Sequence, residues 1–236
     1  MDNKKAFSNG CRDGLPIALG YIPISITFGV LSVAVGLHPV EATAMSAFVF
    51  AGASQFIALS LWTTAGWVEI VLTTFVLNLR HLLMSTSLSR RLNTSRWKAS
   101  LLSFGITDET FVVTSLKHEG KTIKASYLLG INLVVYLSWV IGTITGGLFG
   151  ELFPREIINS MGIALYAMFI ALLTPAIKES NKKLVIASSS AGLCTILYFL
   201  FPGLSQGIAI VLSTIFAATL GVLLWDPQKV GKENNV

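Results

Sequence analysis

The sequence predicts an all-α polytopic membrane protein with eight hydrophobic segments, about six of them spanning helices and two of them re-entrant helical hairpins. Three observations predict it. Hydrophobic residues make up 53% of the 236 and charged residues only 12%, with a mean hydropathy of +0.71, which is more apolar surface than one water-soluble core encloses. Residues 14–36, 125–150, 157–177 and 184–225 contain no Lys, Arg, Asp or Glu, and a helix crosses about 30 Å of hydrocarbon with about 20 apolar residues. The third observation is the placement of the basic residues.

The segments run over 14–36, 41–63, 67–88, 97–116, 125–150, 157–177, 184–200 and 204–225. The last two share one charge-free window that Phe201, Pro202 and Gly203 divide, as a helix stop and a turn do. A net charge of +5 does not indicate nucleic acid, because the basic residues lie in short loops beside apolar windows and not along one polar face. Their role is topological, since cytoplasmic loops collect Lys and Arg. With Arg80 set aside as intramembrane, eight crossings would put 11 basic residues inside and 5 outside. If segments 41–63 and 97–116 enter and leave on one side, 15 lie inside and only Arg155 lies outside. The second arrangement is expected, with residues 1–13 and 226–236 cytoplasmic and 1–236 forming one integral membrane domain. The first helix is expected to stay uncleaved, because its window is too long for a signal-peptide core and no small-residue cleavage pattern follows.

Both unusual segments are broken near their middle by a glycine with polar neighbours, Gly52-Ala53-Ser54-Gln55 and Gly105-Ile106-Thr107-Asp108-Glu109. An arm of about 10 residues rises about 15 Å, half the hydrocarbon thickness, so each tip reaches mid-depth. Freed backbone groups at that depth need protein or a watery cavity around them, so both breaks point to one cavity. The flanks resemble each other, with Phe50 and Phe104 before the glycines and Phe56 and Phe111 after the polar residues. A helix plus hairpin over 14–63, followed by a second of opposite orientation over 67–116, follows the inverted-repeat logic of secondary transporters.

Arg80 lies ten residues from Arg90, about 15 Å along a helix. An intramembrane guanidinium costs about 2.5–3.5 kcal/mol and therefore faces a partner or a wet cavity. Asp108 and Glu109 are its evident partners. Two readings stand side by side, a structural ion pair that pins the second hairpin and direct contact with a substrate or coupling ion. Thr74, Asn78, His81 and Ser85 recur at helical spacing as one polar stripe on the same segment. His81 is either a proton relay or a neutral hydrogen-bonded histidine.

Gly52, Ser54, Gln55 and Thr107 sit where the second arms begin, and helix N-termini there favour a carboxylate. An ammonium group suits Asp108 or Glu109, and the four phenylalanines either surround an apolar side chain or simply pack. Gly142, Gly146 and Gly150 make a flat helix face for an internal or subunit contact. Pro16 and Pro23 are sites for a kink in the first helix. Cys11 and Cys194 indicate neither a disulfide framework nor a metal site. The absence of G-x-x-x-x-G-K-[ST], H-E-x-x-H and C-x-x-C motifs argues against a built-in ATPase, metalloprotease or thiol redox centre, so no cofactor or metal is expected.

F-A-G-A-S-Q-F at 50–56, N-L-R-H at 78–81 and T-D-E-T-F at 107–111, after G-L-P-I-A-L-G at 14–20, resemble the AzlC-type family, large subunits of branched-chain amino acid exporters. The chain reads Pro23-Ile24-Ser25 where the family often has Pro-Phe-Gly. The resemblance implies export of valine, leucine, isoleucine or related amino acids, not an enzymatic activity. It also implies residence in a bacterial inner membrane and a small AzlD-type membrane partner. A passive channel or non-transporting assembly subunit is one alternative. An intramembrane serine protease built on Ser54 and His81 is another.

Overall fold

The computed structural model describes residues 2–152, 181–201 and 206–224, with positions 154, 156, 163, 170, 173, 174, 177, 178, 203 and 204 between them. Most of the expected span at 157–177 lies outside the described residues. The helices are α1 (Asn3–Ala34), α2 (Pro39–Phe48), α3 (Gly52–Leu61), α4 (Trp67–Ser89), α5 (Arg96–Ser103), α6 (Asp108–Lys117), α7 (Ala125–Phe149), α8 (Asn181–Leu200) and α9 (Gln206–Leu224). Among the described residues, α1, α4, α7 and α8 are long and apolar enough to cross a membrane. Both segments read as broken are pairs of short helices, α2 with α3 and α5 with α6.

Local chemistry sets the ends of these short helices. Pro39 occupies the first turn of α2, where its missing N–H costs nothing. The side chain of Glu41 accepts the His38 backbone N–H at 2.7 Å, half of a capping box. The Phe50 backbone, between α2 and α3, has φ +41, a left-handed conformation that a bulky side chain rarely adopts. At the start of α6, Thr107 Oγ1 accepts from the Thr110 N–H at 3.3 Å, and Thr110 Oγ1 accepts from the Thr107 N–H at 2.8 Å.

The chain divides into two compact units, Met1–Thr63 with Asn78–Leu165, and Thr64–Leu77 with Tyr166–Val236. The spine of the first is a parallel pair, α1 against α7, joined along their length by glycines. A Cβ added at Gly10 would lie 2.1 Å from the Tyr127 carbonyl oxygen. At Gly142 it would lie 1.9 Å from Ser25 Oγ, and at Gly146 2.0 Å from the Ile26 carbonyl oxygen. The Gly142, Gly146 and Gly150 face therefore meets α1 of the same chain, close enough for dispersion contacts between backbones. α1 stays helical through Pro16 and Pro23. Phe28, Leu128, Ile131 and Val135 are fully buried along this spine.

A two-residue parallel pair closes one end of the unit. β1 (Leu92–Asn93) pairs with β2 (Ile123–Lys124), and the Ile123 N–H donates to the Arg91 carbonyl at 2.8 Å. The chain entering α5 and the chain leaving α6 are thus hydrogen-bonded neighbours. In the second unit α8 packs on α9, and the Ser190 hydroxyl approaches the Ser213 carbonyl at 3.4 Å. There Glu69 Oε1 accepts from the Gly207 N–H at 3.1 Å in the first turn of α9, a favourable end of the helix dipole for a carboxylate.

Candidate functional site

The two breaks meet beside the middle of α7. A 25-residue helix is about 37 Å long, and Leu137 is its midpoint. Around that point Asn132, Tyr136 and Trp139 recur at i, i+4 and i+7, so they share one face. Asn132 Nδ2 donates to the Leu102 carbonyl at 2.8 Å, in the last turn of α5. Tyr136 donates its hydroxyl to the Ala47 carbonyl at 3.0 Å, in the last turn of α2. Each side chain thus bonds a carbonyl in the last turn of an interrupted helix, where the regular helical partner is lost; the Leu102 carbonyl also accepts the Gly105 N–H at 3.3 Å.

The glycines explain the close seating. A Cβ at Gly52 would lie 2.6 Å from Trp139 Cη2, and one at Gly105 would lie 2.7 Å from Asn132 Cβ. Phe50 and Phe104, one from each break, have ring centroids 6.2 Å apart, and both contact Tyr136, at 5.1 and 5.9 Å. Phe56 packs instead on Phe28 of α1 at 5.5 Å, and Phe111 is half-buried.

The polar side chains sort into two groups. Around the first break, Ser54 donates to the Ala51 carbonyl at 2.9 Å and accepts from Asn78 Nδ2 at 3.1 Å. The buried Asn78 Oδ1 has no partner among the described residues. Gln55, fully buried, accepts from Trp139 Nε1 at 3.0 Å and donates to Ser46 Oγ at 3.0 Å. Its amide is engaged with the protein at both ends, and Ser46 continues to Thr143 at 2.8 Å. No side chain caps α3, so the N–H groups of its first turn face the break with the positive end of the helix dipole.

Around the second break, Arg80 Nη1 pairs with Asp108 Oδ2 at 2.6 Å, and each side chain is about one-third exposed. Arg80 Nε is buried and has no partner among the described residues. The neighbouring Glu109 accepts hydrogen bonds from the hydroxyls of Tyr21 and Thr107. The adjacent acids therefore have different company, a cation for Asp108 and two hydroxyls for Glu109. His81 is half-buried on the next position of α4, and Thr74, Asn78 and Ser85 are half-buried with it along the stripe.

Sequence reasoning missed Tyr21, Asn132, Tyr136 and Trp139. Asn132 left a signal, since an amide inside a charge-free window costs free energy unless it is hydrogen-bonded. The two tyrosines left none, because a tyrosine in an apolar segment reads equally well as packing or as an interfacial anchor.

A family model described as "AzlC protein" matches residues 16–153. An "Uncharacterized membrane protein" of Archaeoglobus fulgidus is 35% identical over 232 residues, 97% of this chain and 99% of that one. "Inner membrane protein YgaZ" of Escherichia coli is 29% identical over 206 residues, 83% of each. "Branched-chain amino acid transport protein AzlC" of Bacillus subtilis is 27% identical over 201 residues, 84% of this chain and 78% of that one. No solved structure matches.

Proposed function

The chain belongs to the AzlC family, and from that premise we propose that it is the permease subunit of an ion-coupled secondary exporter of branched-chain or similar small hydrophobic amino acids. It works in the bacterial inner membrane with both termini cytoplasmic, as one transport domain beside a small AzlD-type subunit. The Bacillus relative's name supports the substrate class. The observation that carries the mechanism is the meeting of Phe50 and Phe104 at Tyr136, which brings two interrupted segments to one place beside the centre of α7.

Both segments are re-entrant in this reading, and the neighbours along α7 support it. α2 begins where a Cβ on Gly147 would lie 3.4 Å from Pro39, and its last turn ends at Tyr136. α3 then starts at Trp139 and returns to Phe28, next to Gly29, whose Cβ would lie 2.3 Å from the Thr143 carbonyl oxygen. The second segment starts beside the β1–β2 pair at the head of α7 and reaches Asn132 at Leu102. It returns through Lys117, which pairs with Asp13, itself bonded to Tyr127 at 2.8 Å. Hydrogen-bonded strands cannot stand on opposite faces of a bilayer, and eight crossings would separate β1 from β2 in that way.

In this reading an amino-acid zwitterion binds between the breaks. Its carboxylate lies at the uncapped start of α3, near Gly52 and Ser54, while Gln55 ties that helix to Trp139 and Ser46. Its ammonium lies toward Asp108, Thr107 and the open acceptor Asn78 Oδ1. Arg80 is then the counter-ion that Asp108 trades for substrate, and exchange of a proton at Asp108, Glu109 or His81 couples export to the gradient. In cells preloaded with labelled leucine, Asp108→Asn should still let leucine leave down its gradient but should not drive export against one. An unchanged concentrative export in that variant refutes the assignment.

A further inference from the structure

A second polar site lies apart from the breaks, at the end of the first unit where the basic loops gather. It is a cavity of about 320 Å³ lined by Asn9, Arg12, Asp13, Lys117, His118 and Tyr127, at the lower end of the size range of small-molecule sites. Asp13 is its centre. Its side chain, 12% exposed, pairs with Lys117 and accepts the Tyr127 hydroxyl at 2.8 Å. The His118 ring packs edge-on against Tyr127 at 4.5 Å. Arg12 is exposed and has no ion-pair partner among the described residues. Two cations and one carboxylate therefore share the cavity, which leaves one positive charge uncompensated.

The same groups join α6 to α1. Along α6, Glu109 meets Tyr21 and Lys117 meets Asp13, so the returning arm of the second hairpin is fastened to α1 at both ends. The Lys117 side chain is 54% exposed, which makes this the fastening that water and solutes reach.

Resting on the export reading above, we infer that this cavity is the cytoplasmic entry subsite for the amino-acid zwitterion, which replaces the Asp13–Lys117 pair and thereby exchanges the direct tie of α6 to α1 for a longer one. The carboxylate takes Arg12 and Lys117, and the ammonium takes Asp13. Every charge that loses a partner gains one, so the exchange avoids leaving Asp13 uncompensated. The direct link between the helices becomes a link through the ligand. A ligand opens a gate only as far as it prefers the open state, and only a molecule with both charges can replace both halves of the pair. The α-amide of leucine cannot satisfy the cations, and N-acetyl-leucine cannot satisfy Asp13.

The test is protection of an introduced cysteine on the full chain. Asn9→Cys, in a Cys11→Ser background, is labelled by a membrane-impermeant maleimide in inside-out vesicles, with His118→Cys as a second reporter position. Leucine should slow labelling several-fold, whereas leucinamide and N-acetyl-leucine should not, and Asp13→Asn should abolish the protection. Adding Asp108→Asn separates this site from the central one, because concentrative export should fail while protection persists. Equal protection by all three compounds overturns the inference. So does the absence of protection at both cysteines in vesicles from cells that export leucine. If cells carrying the unmodified protein export no amino acid, the export reading falls, and this inference falls with it.

Discussion

Arg80 and Asp108 form the pair on which residue-scale chemistry turns. Removing either leaves a charge in a low-dielectric surround, and both are about one-third exposed, so partial hydration moderates the penalty. Arg80→Ala and Asp108→Asn should each reduce concentrative export, against a leucine gradient, at least tenfold. The exchange Arg80→Asp with Asp108→Arg separates the two roles of the pair. A pin between helices is restored by the swap, and export with it, whereas a substrate contact is not, so the swapped protein should recover its expression level but not its transport. Recovery of transport contradicts the substrate contact. The sequence alone made this pair legible, since an intramembrane arginine demands a partner and an acid pair lay one hairpin away. Which acid it takes was not legible. Asp108 and Glu109 point to different sides of one helical turn, and the choice depends on Tyr21, eighty-eight residues from Glu109.

At the scale of elements, close packing of α1 on α7 and the capping of broken helices by α7 carry the structure. Gly146→Leu should be the most disruptive single change on that seam, because even its Cβ would lie 2.0 Å from a backbone oxygen of Ile26. The backbones must move apart, a cost of about 1–3 kcal/mol or more, read as a lower melting temperature in detergent. Asn132→Leu tests the capping. It removes one of the two hydrogen bonds that the Leu102 carbonyl accepts, the other coming from the Gly105 N–H, a loss of about 0.5–1.5 kcal/mol, and should loosen α5 while leaving α2 in place. Faster hydrogen exchange confined to α5 and α6 is the expected signature; equal change in α2 contradicts it. The breaks were readable from Gly52, Gly105 and their polar neighbours, because glycine flanked by polar groups is costly in a continuous membrane helix. The face of α7 that receives them was not readable, as its hydrophobic composition hides the single period of Asn132, Tyr136 and Trp139. The Gly142, Gly146 and Gly150 face announced a close contact, but only the fold identifies α1 as its partner.

For the whole molecule, among the described residues, charge-free windows coincide with helices because hydrocarbon requires uninterrupted, internally hydrogen-bonded spans. The windows at 14–36 and 125–150 correspond to α1 and α7, although α1 extends back to Asn3, where composition alone sees a polar segment. The charge count separated two topologies through Arg90, Arg91, Arg96 and Lys98, which flank β1. The parallel pairing of β1 with β2 supports the same arrangement by an independent route, since hydrogen bonds and charge bias obey different physics. A pair of two-residue strands carries too weak a local signal to be found in sequence. In the proposed arrangement both interrupted segments turn back at mid-depth. Its most direct measurement is labelling of single cysteines by a membrane-impermeant maleimide in intact cells, at Gly66 and at Ser95 in a background free of Cys11 and Cys194. Two re-entrant segments place Gly66→Cys outside, where it is labelled, and Ser95→Cys inside, where it is labelled only after the cells are opened. Labelling of Ser95→Cys in intact cells, with Gly66→Cys protected, is the pattern of two full crossings and contradicts the account.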